Sequence, residues 1–122
     1  MTTNTLSSKN VVIIGGTAGI GLATAQAAAA LGAKVWAAGR SEAHIENAKK
    51  LSNGSFEIRQ ADTHDAESLG AIFNEVGEID HLVSAAVGGE RTLKPFLEQT
   101  EAQFKAAYDK LWGYAKVVRI GA

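Results

Sequence analysis

Short apolar runs alternate along this chain with longer stretches whose apolar residues recur every three or four positions. Residues 11–14, Val-Val-Ile-Ile, form an unbroken β-branched run, as a strand covered on both faces requires. Residues 19–31 carry Ile20, Ala23, Thr24, Ala27, Ala28 and Leu31 at helical spacing, and Gly32 suits a C-terminal cap. Residues 34–38 predict a second strand. Ser41 opens a helix to about Leu51, with Ile45, Ala48 and Leu51 inward, and Asn53-Gly54 marks a turn. Residues 55–60 predict a third strand on the alternation of Phe56 and Ile58. Asp65 suits the N-cap of a helix bearing Leu69, Ile72, Phe73 and Val76, closed by Gly77. Residues 80–84 predict a fourth strand. Residues 87–98, with Gly88-Gly89 and Pro95, predict a loop. Thr100 and Gln103 form a capping-box pattern. The last helix follows, with Phe104, Tyr108, Leu111, Ala115 and Val118 on one side.

Strands alternating with helices predict an α/β fold in three layers, a parallel sheet with helices on both faces. Right-handed crossovers predict the strand order 3-2-1-4. A ligand then belongs over the carboxyl ends of strands one and four, where the order reverses.

The turn at that point reads Gly15-Gly16-Thr17-Ala18-Gly19-Ile20-Gly21. Glycine allows positive φ and leaves no Cβ in a ligand's way. The N–H groups at the helix start and the positive end of its dipole favour an anion. A strand before the turn and a helix after it make the pattern a phosphate cradle rather than a chance cluster. No Gly-Lys-Ser/Thr follows, so it is not a P-loop.

Composition narrows the rest. The 122 residues are 46% hydrophobic and 20% charged, which suits one domain over residues 1–122. Twelve basic and 13 acidic residues give a net charge of −1, with no long block of either sign. Nucleic acid and anionic membranes are therefore not expected partners. No apolar stretch reaches membrane-spanning length. The absence of cysteine fits a reducing cytoplasm, and the polar first ten residues do not read as a signal peptide. His44, His64 and His81 lack metal-ligand spacing and read as ordinary polar residues; no metal site is expected. Asp62 and Asp65 are too few for an acidic receiver pocket, because no acidic pair lies near the first strand.

On Gly15, Gly19 and Gly21 the chain resembles the short-chain dehydrogenase/reductase family, whose turn reads Thr-Gly-x-x-x-Gly-x-Gly after the first strand. Ile14 stands in the threonine place. The resemblance runs over almost the whole chain and implies a Rossmann-like dinucleotide site built from Gly15, Gly16, Thr17, Gly19, Ile20, Gly21, Arg40, Ser41, Asp62, Thr63, Ala85 and Ala86. The second strand ends in Gly39-Arg40-Ser41, with no acid to hold a ribose 2′-hydroxyl. Arginine can pair with a 2′-phosphate, so NADP is favoured over NAD. Ala61-Asp62-Thr63 resembles the family's Asp-Val motif, which implies that Asp62 accepts from the adenine amino group. Asp80-His81-Leu82-Val83 resembles its fourth strand.

Three departures limit what the resemblance implies. The family's Asn-Ala-Gly after the fourth strand is replaced by Ser84-Ala85-Ala86-Val87. Lys110, three residues before Gly113, stands where the family carries an asparagine; a solvated lysine is the plainer reading. The family's serine and Tyr-x-x-x-Lys pair, in which the lysine charge lowers the pKa of the tyrosine acid, are absent. Tyr108 precedes Lys110 by two and Tyr114 precedes Lys116 by two, which puts each pair on nearly opposite faces. No catalytic residue is therefore expected in this chain. The expected role is the NADP-binding part of an oxidoreductase truncated relative to the full family fold, whose parent moves hydride between NADPH and a carbonyl or alcohol. The alternative is a naturally short, non-catalytic nucleotide-binding or interaction protein. A truncated sheet exposes the edge of its fourth strand, and Trp112 and Tyr114 offer a contact surface on the last helix. Either predicts a homo-oligomer.

Overall fold

The computed structural model describes residues 5–86 and 93–122. Four strands, β1 (Asn10–Ile14), β2 (Lys34–Gly39), β3 (Glu57–Gln60) and β4 (His81–Ser84), form one parallel sheet in the order β3-β2-β1-β4. Helices α1 (Gly19–Ala30), α2 (Glu42–Ser52) and α3 (Ala66–Val76) follow the first three strands. After β4 come a 3-10 turn at Phe96–Glu98 and helices α4 (Glu101–Ala107) and α5 (Asp109–Gly121). Residues 87–92 of the expected loop lie outside the described residues. The order is the one that strand–helix alternation predicts, and it leaves the switch point between β1 and β4.

Alternation along β1 divides the core. Val11 and Ile13 point to one face, with Leu22 and Ala25 of α1, Ile45 and Ala48 of α2, and Ile58. Val12 and Ile14 point to the other, with Leu69, Ile72 and Phe73 of α3 and Val117 of α5. The strands are continuous apolar runs because both faces are covered. Asn10 and Asp80 fix the register where β1 and β4 begin. The Asn10 N–H donates to Asp80 Oδ2 at 2.7 Å, and the Asp80 N–H returns a bond to the Asn10 carbonyl at 2.9 Å.

Capping is as the sequence predicts for three helices. Ser41 accepts from the His44 N–H, Asp65 from the Glu67 N–H, and Thr100 and Gln103 close a full capping box. Asn53 takes a left-handed φ of 47° to end α2, and Gly77 ends α3 at φ 77°.

Three expected faces need correction. On α1 the buried residues are Gly21, Leu22, Ala25 and Ala28, whereas Ile20 is 83% exposed. The helix is apolar almost all round, so periodicity could not select its inner face. On α2, Ser52 is buried and Leu51 is exposed; the Ser52 hydroxyl donates to the Lys49 carbonyl, which satisfies it inside. The last helix is two, broken at Tyr108, and α5 buries Gly113 and Val117. Tyr108, Leu111 and Val118 are exposed. Close approach decides this: a Cβ on Gly113 would stand 3.1 Å from Thr63 Oγ1, so α5 docks through its smallest residue.

A side-chain cluster links α3 to the β2–β3 edge. Arg59 donates to both Glu75 oxygens, Nε to Oε1 at 2.9 Å and Nη2 to Oε2 at 2.7 Å, and Trp36 Nε1 adds a bond at 3.1 Å. The Arg59 fork, foremost, holds the Glu75 carboxyl below its usual range. A carboxyl lowered on folding stabilises the fold above its unfolded value and ceases to do so as pH falls through the folded value. Glu75→Gln should therefore lower the melting temperature at neutral pH, and the difference from the native chain should vanish in acid.

Candidate cofactor site

The glycine turn is tied to the sheet before it reaches α1. The N–H groups of Gly15 and Gly16 both donate to the Ala38 carbonyl, at 2.8 and 3.0 Å. Gly15 has φ +88°, and a Cβ there would collide with the backbone of Ala85 and Ala86 leaving β4. A Cβ on Gly16 would lie 2.8 Å from the Ala37 methyl and 2.9 Å from the Ile13 carbonyl oxygen. A Cβ on Gly21 would land on the Gly15 carbonyl oxygen. These three glycines answer to protein packing. Gly19 differs: its φ is +55° and nothing stands within 4 Å of its Cβ position. It lies at the open end of α1.

That end is chemically distinct from the starts of α2, α3 and α4. Ala18 occupies the N-cap of α1, no side chain caps it, and its first turn holds no acid. The N–H groups of the first turn have no intrahelical acceptor. They face the exposed end of the helix with the positive end of its dipole.

A cleft of about 230 Å³ opens beside this turn. Gly15 and Thr17 line it from the turn, Arg40 and Ser41 from the end of β2, Asp62 and Thr63 from the end of β3, and Ala85 and Ala86 from the end of β4. A second cleft of about 240 Å³ continues past Arg40 and Asp62 to Gln60, Asp65 and Ser68. The structure thus brings together eight of the twelve residues singled out in the sequence. Gly16 and Gly21 lie beneath the turn as packing positions, and Gly19 and Ile20 stand exposed at the helix start. Thr17 is buried, and its hydroxyl fills the space a side chain on Gly39 would need.

Two histidines read as ordinary polar residues have specific places. His44, on the first turn of α2, lines the first cleft beside Arg40 and Ser41. Its position three residues after the Ser41 cap was the available signal. His64 lies between two aspartates that are far apart in sequence. Its Nδ1 is 2.9 Å from Asp62 Oδ1 and its Nε2 is 2.6 Å from Asp109 Oδ1. Nothing in the spacing of residues 62, 64 and 109 announced this, because α5 had to be docked first.

The cleft carries charges of both signs. The His64 backbone N–H, donating to Asp62 Oδ1 at 2.9 Å, is the main cause that lowers the Asp62 carboxyl below its usual range. The His64 side chain and the Arg40 charge add to it, against burial. Asp62 is therefore an ionised acceptor at neutral pH. Arg40 is exposed at the mouth. Lys110 is exposed on α5, with Nζ 5.5 Å from the Tyr114 ring centre.

The donor set fits a dinucleotide. Open N–H groups at a helix start suit a pyrophosphate, a guanidinium suits a ribose phosphate, and a carboxylate acceptor suits an amino group on a base. Gly19 leaves room for the ligand's approach to the backbone. Among the described residues no cluster of histidine and acidic side chains could hold a metal ion, and no helix is long and apolar enough to cross a membrane.

A parallel α/β sheet with a glycine turn at its switch point defines the Rossmann class of dinucleotide-binding folds. The family model described as short chain dehydrogenase matches residues 9–118, and the chain belongs to that family. It is similar to L-xylulose reductase of Homo sapiens, 33% identical over 104 residues, which are 85% of this chain and 41% of that protein. Among solved structures, a short chain dehydrogenase/reductase family protein superimposes with a TM-score of 0.80 at 29% identity, covering 95% of this chain and 49% of the other. The F189W variant of actinorhodin polyketide ketoreductase, solved with NADPH, shares the fold with a TM-score of 0.78 at 22% identity, covering 99% of this chain and 48% of the other. The chain therefore spans less than half the length of these proteins. The family binds a nicotinamide dinucleotide.

Proposed function

We propose that this chain supplies an NADP-preferring dinucleotide site to a short-chain oxidoreductase. The observation that carries the reading is the uncapped start of α1, open at Gly19 beside a cleft that holds Arg40 and Asp62. Backbone N–H groups of that turn bind the pyrophosphate, Arg40 with Ser41 receives the 2′-phosphate, and Asp62 accepts from the adenine amino group. Thr63, Ala85 and Ala86 line the path onward, with side chains small enough for close backbone approach. When bound, the nicotinamide supplies hydride to a carbonyl or takes it from an alcohol.

The chain's own residues bind and orient; they contain no Tyr-x-x-x-Lys pair to move the accompanying proton. Exposed Tyr108, Leu111, Trp112 and Val118 support association of α5 with a second copy. The cysteine-free composition suits the cytoplasm.

Isothermal titration with NADPH and with NADH tests the reading. Tighter binding of NADPH is expected. No binding of either overturns the cofactor site, and tighter NADH overturns the assignment of Arg40.

A further inference from the structure

We propose that His64 is a positioning residue for the base-binding carboxylate, clamping Asp62 between the β3–α3 turn and the start of α5 so that one oxygen is committed to the protein and the other is left for the nucleotide. This rests on the reading of Asp62 as the adenine acceptor.

The geometry is asymmetric. Asp62 Oδ1 accepts from the His64 backbone N–H and is within hydrogen-bond distance of the His64 ring, both at 2.9 Å. Among the described residues, no protein group donates to Asp62 Oδ2. The carboxylate lines both clefts, so Oδ2 is the oxygen a ligand amino group would use. Across the imidazole, Nε2 meets Asp109 Oδ1 at 2.6 Å. Between Asp62 and His64 in sequence, Thr63 packs on Gly113 of the same helix. The turn that carries Asp62 is thus fastened to α5 at two points, and a rotation of the carboxylate must break its bonds to the His64 that makes one of them.

Only the imidazolium can donate to both aspartates at once. Neutral imidazole has one N–H and turns a lone pair toward one of the two carboxylates. Asp62 from the turn and Asp109 from α5 are the charged groups that face the ring; Arg40, from the β2–α2 turn, acts on Asp62 instead. The bond to Asp109, first, and then the bond to Asp62 raise the His64 value above the ordinary imidazole range. A group raised on folding gives its full contribution below its unfolded value and loses it as pH rises through the folded value. The clamp therefore holds in mildly acidic solution and loosens as pH rises past the ordinary imidazole range.

The test compares NADPH with its 6-deamino analogue, in which the adenine amino donor is replaced by a carbonyl. Both ligands carry the same 2′-phosphate, so its titration cancels in the ratio of their affinities. Titration calorimetry on the intact chain at about pH 6 should show a preference for NADPH of about tenfold, falling severalfold by about pH 8, below the range in which the analogue's base ionises. His64→Leu and Asp109→Asn should each reduce the preference at the lower pH and flatten its pH dependence. His64→Gln, which can still donate to Asp62, should recover part of it.

A native chain that binds neither ligand overturns the cofactor reading itself. A native chain that prefers NADPH equally at both pH values leaves that reading intact and overturns the clamp. So does a His64→Leu chain that loses affinity for both ligands alike, as a merely structural role would require. Circular dichroism checks folding; should His64→Leu not fold, Asp109→Asn and the native pH profile decide the matter.

Discussion

Gly21→Ala is expected to destabilise the chain severely, whereas Gly19→Ala is expected to leave it folded and poor at binding NADPH. The two glycines lie two residues apart at the start of α1, and alanine is ordinarily a better helix former than glycine. Propensity alone predicts a gain at Gly21. Sterics reverse it: the new methyl would lie on the Gly15 carbonyl oxygen and within 3.0 Å of the Gly16 Cα. Both are backbone atoms of a turn already held by bonds to Ala38. They cannot move without opening the contact between Gly15 and the residues leaving β4. Overpacking of this kind costs about 3 kcal/mol, a large part of the roughly 5–15 kcal/mol that holds a domain together. At Gly19 the methyl meets open space. The cost to the fold is the left-handed φ, about 1–2 kcal/mol. Binding suffers as well, because the methyl occupies the approach to the open N–H groups; a loss of at least about tenfold, or 1.4 kcal/mol, is expected. Thermal unfolding and NADPH titration read the two effects separately. A Gly21→Ala chain that melts with the native one would show that the turn yields, and unchanged NADPH affinity in Gly19→Ala would show that the ligand does not pass there.

Arg40→Ala is expected to abolish the preference for NADPH. Arg40 is exposed and lines both clefts, and Ser41 and His44 lie beside it in the first. A charge-assisted contact to phosphate is worth about 1.5–3 kcal/mol, so NADPH affinity should fall roughly ten- to a hundredfold. NADH carries a hydroxyl in place of that phosphate and should bind within about twofold of its native affinity. Equal losses for both ligands would mean that Arg40 supports the turn instead of reading the phosphate. The structure holds a reason to expect the unequal result. Arg40 takes no direct part in the cap of α2, which Ser41 supplies through its own hydroxyl, so its removal leaves the helix start intact.

Elements and strand order were legible because each local signal agreed with the next. Val11 to Ile14 could only be a strand covered twice, and Ser41, Asp65 and Thr100 announced helix starts that the backbone uses. Faces were less legible wherever side chains were small or uniformly apolar. In α1 no polar stripe marks the outside, and in α5 the contact residue is Gly113, which contributes nothing to a hydrophobic pattern. The break at Tyr108 shifted the register of everything after it, and so Leu111 and Val118 face outward. The cleft was legible as far as each part sits at the carboxyl end of a strand: Gly15, Arg40, Asp62 and Ala85. His64 was not, because its meaning comes from Asp109, 45 positions later, and from a helix docking that no local pattern encodes.

On the proposed reading, the uncapped start of α1 would make the ligand a structural member of the fold. Each of α2, α3 and α4 carries its own stop for the N–H groups of its first turn, whereas no side chain caps α1. A pyrophosphate seated there would complete the hydrogen bonding of the helix that brings Leu22, Ala25 and Ala28 to one core face. Binding and folding would then draw on the same free energy: the loaded chain would be harder to unfold, and every weakening of the β1–α1 turn would be felt twice, once as lost stability and once as lost affinity.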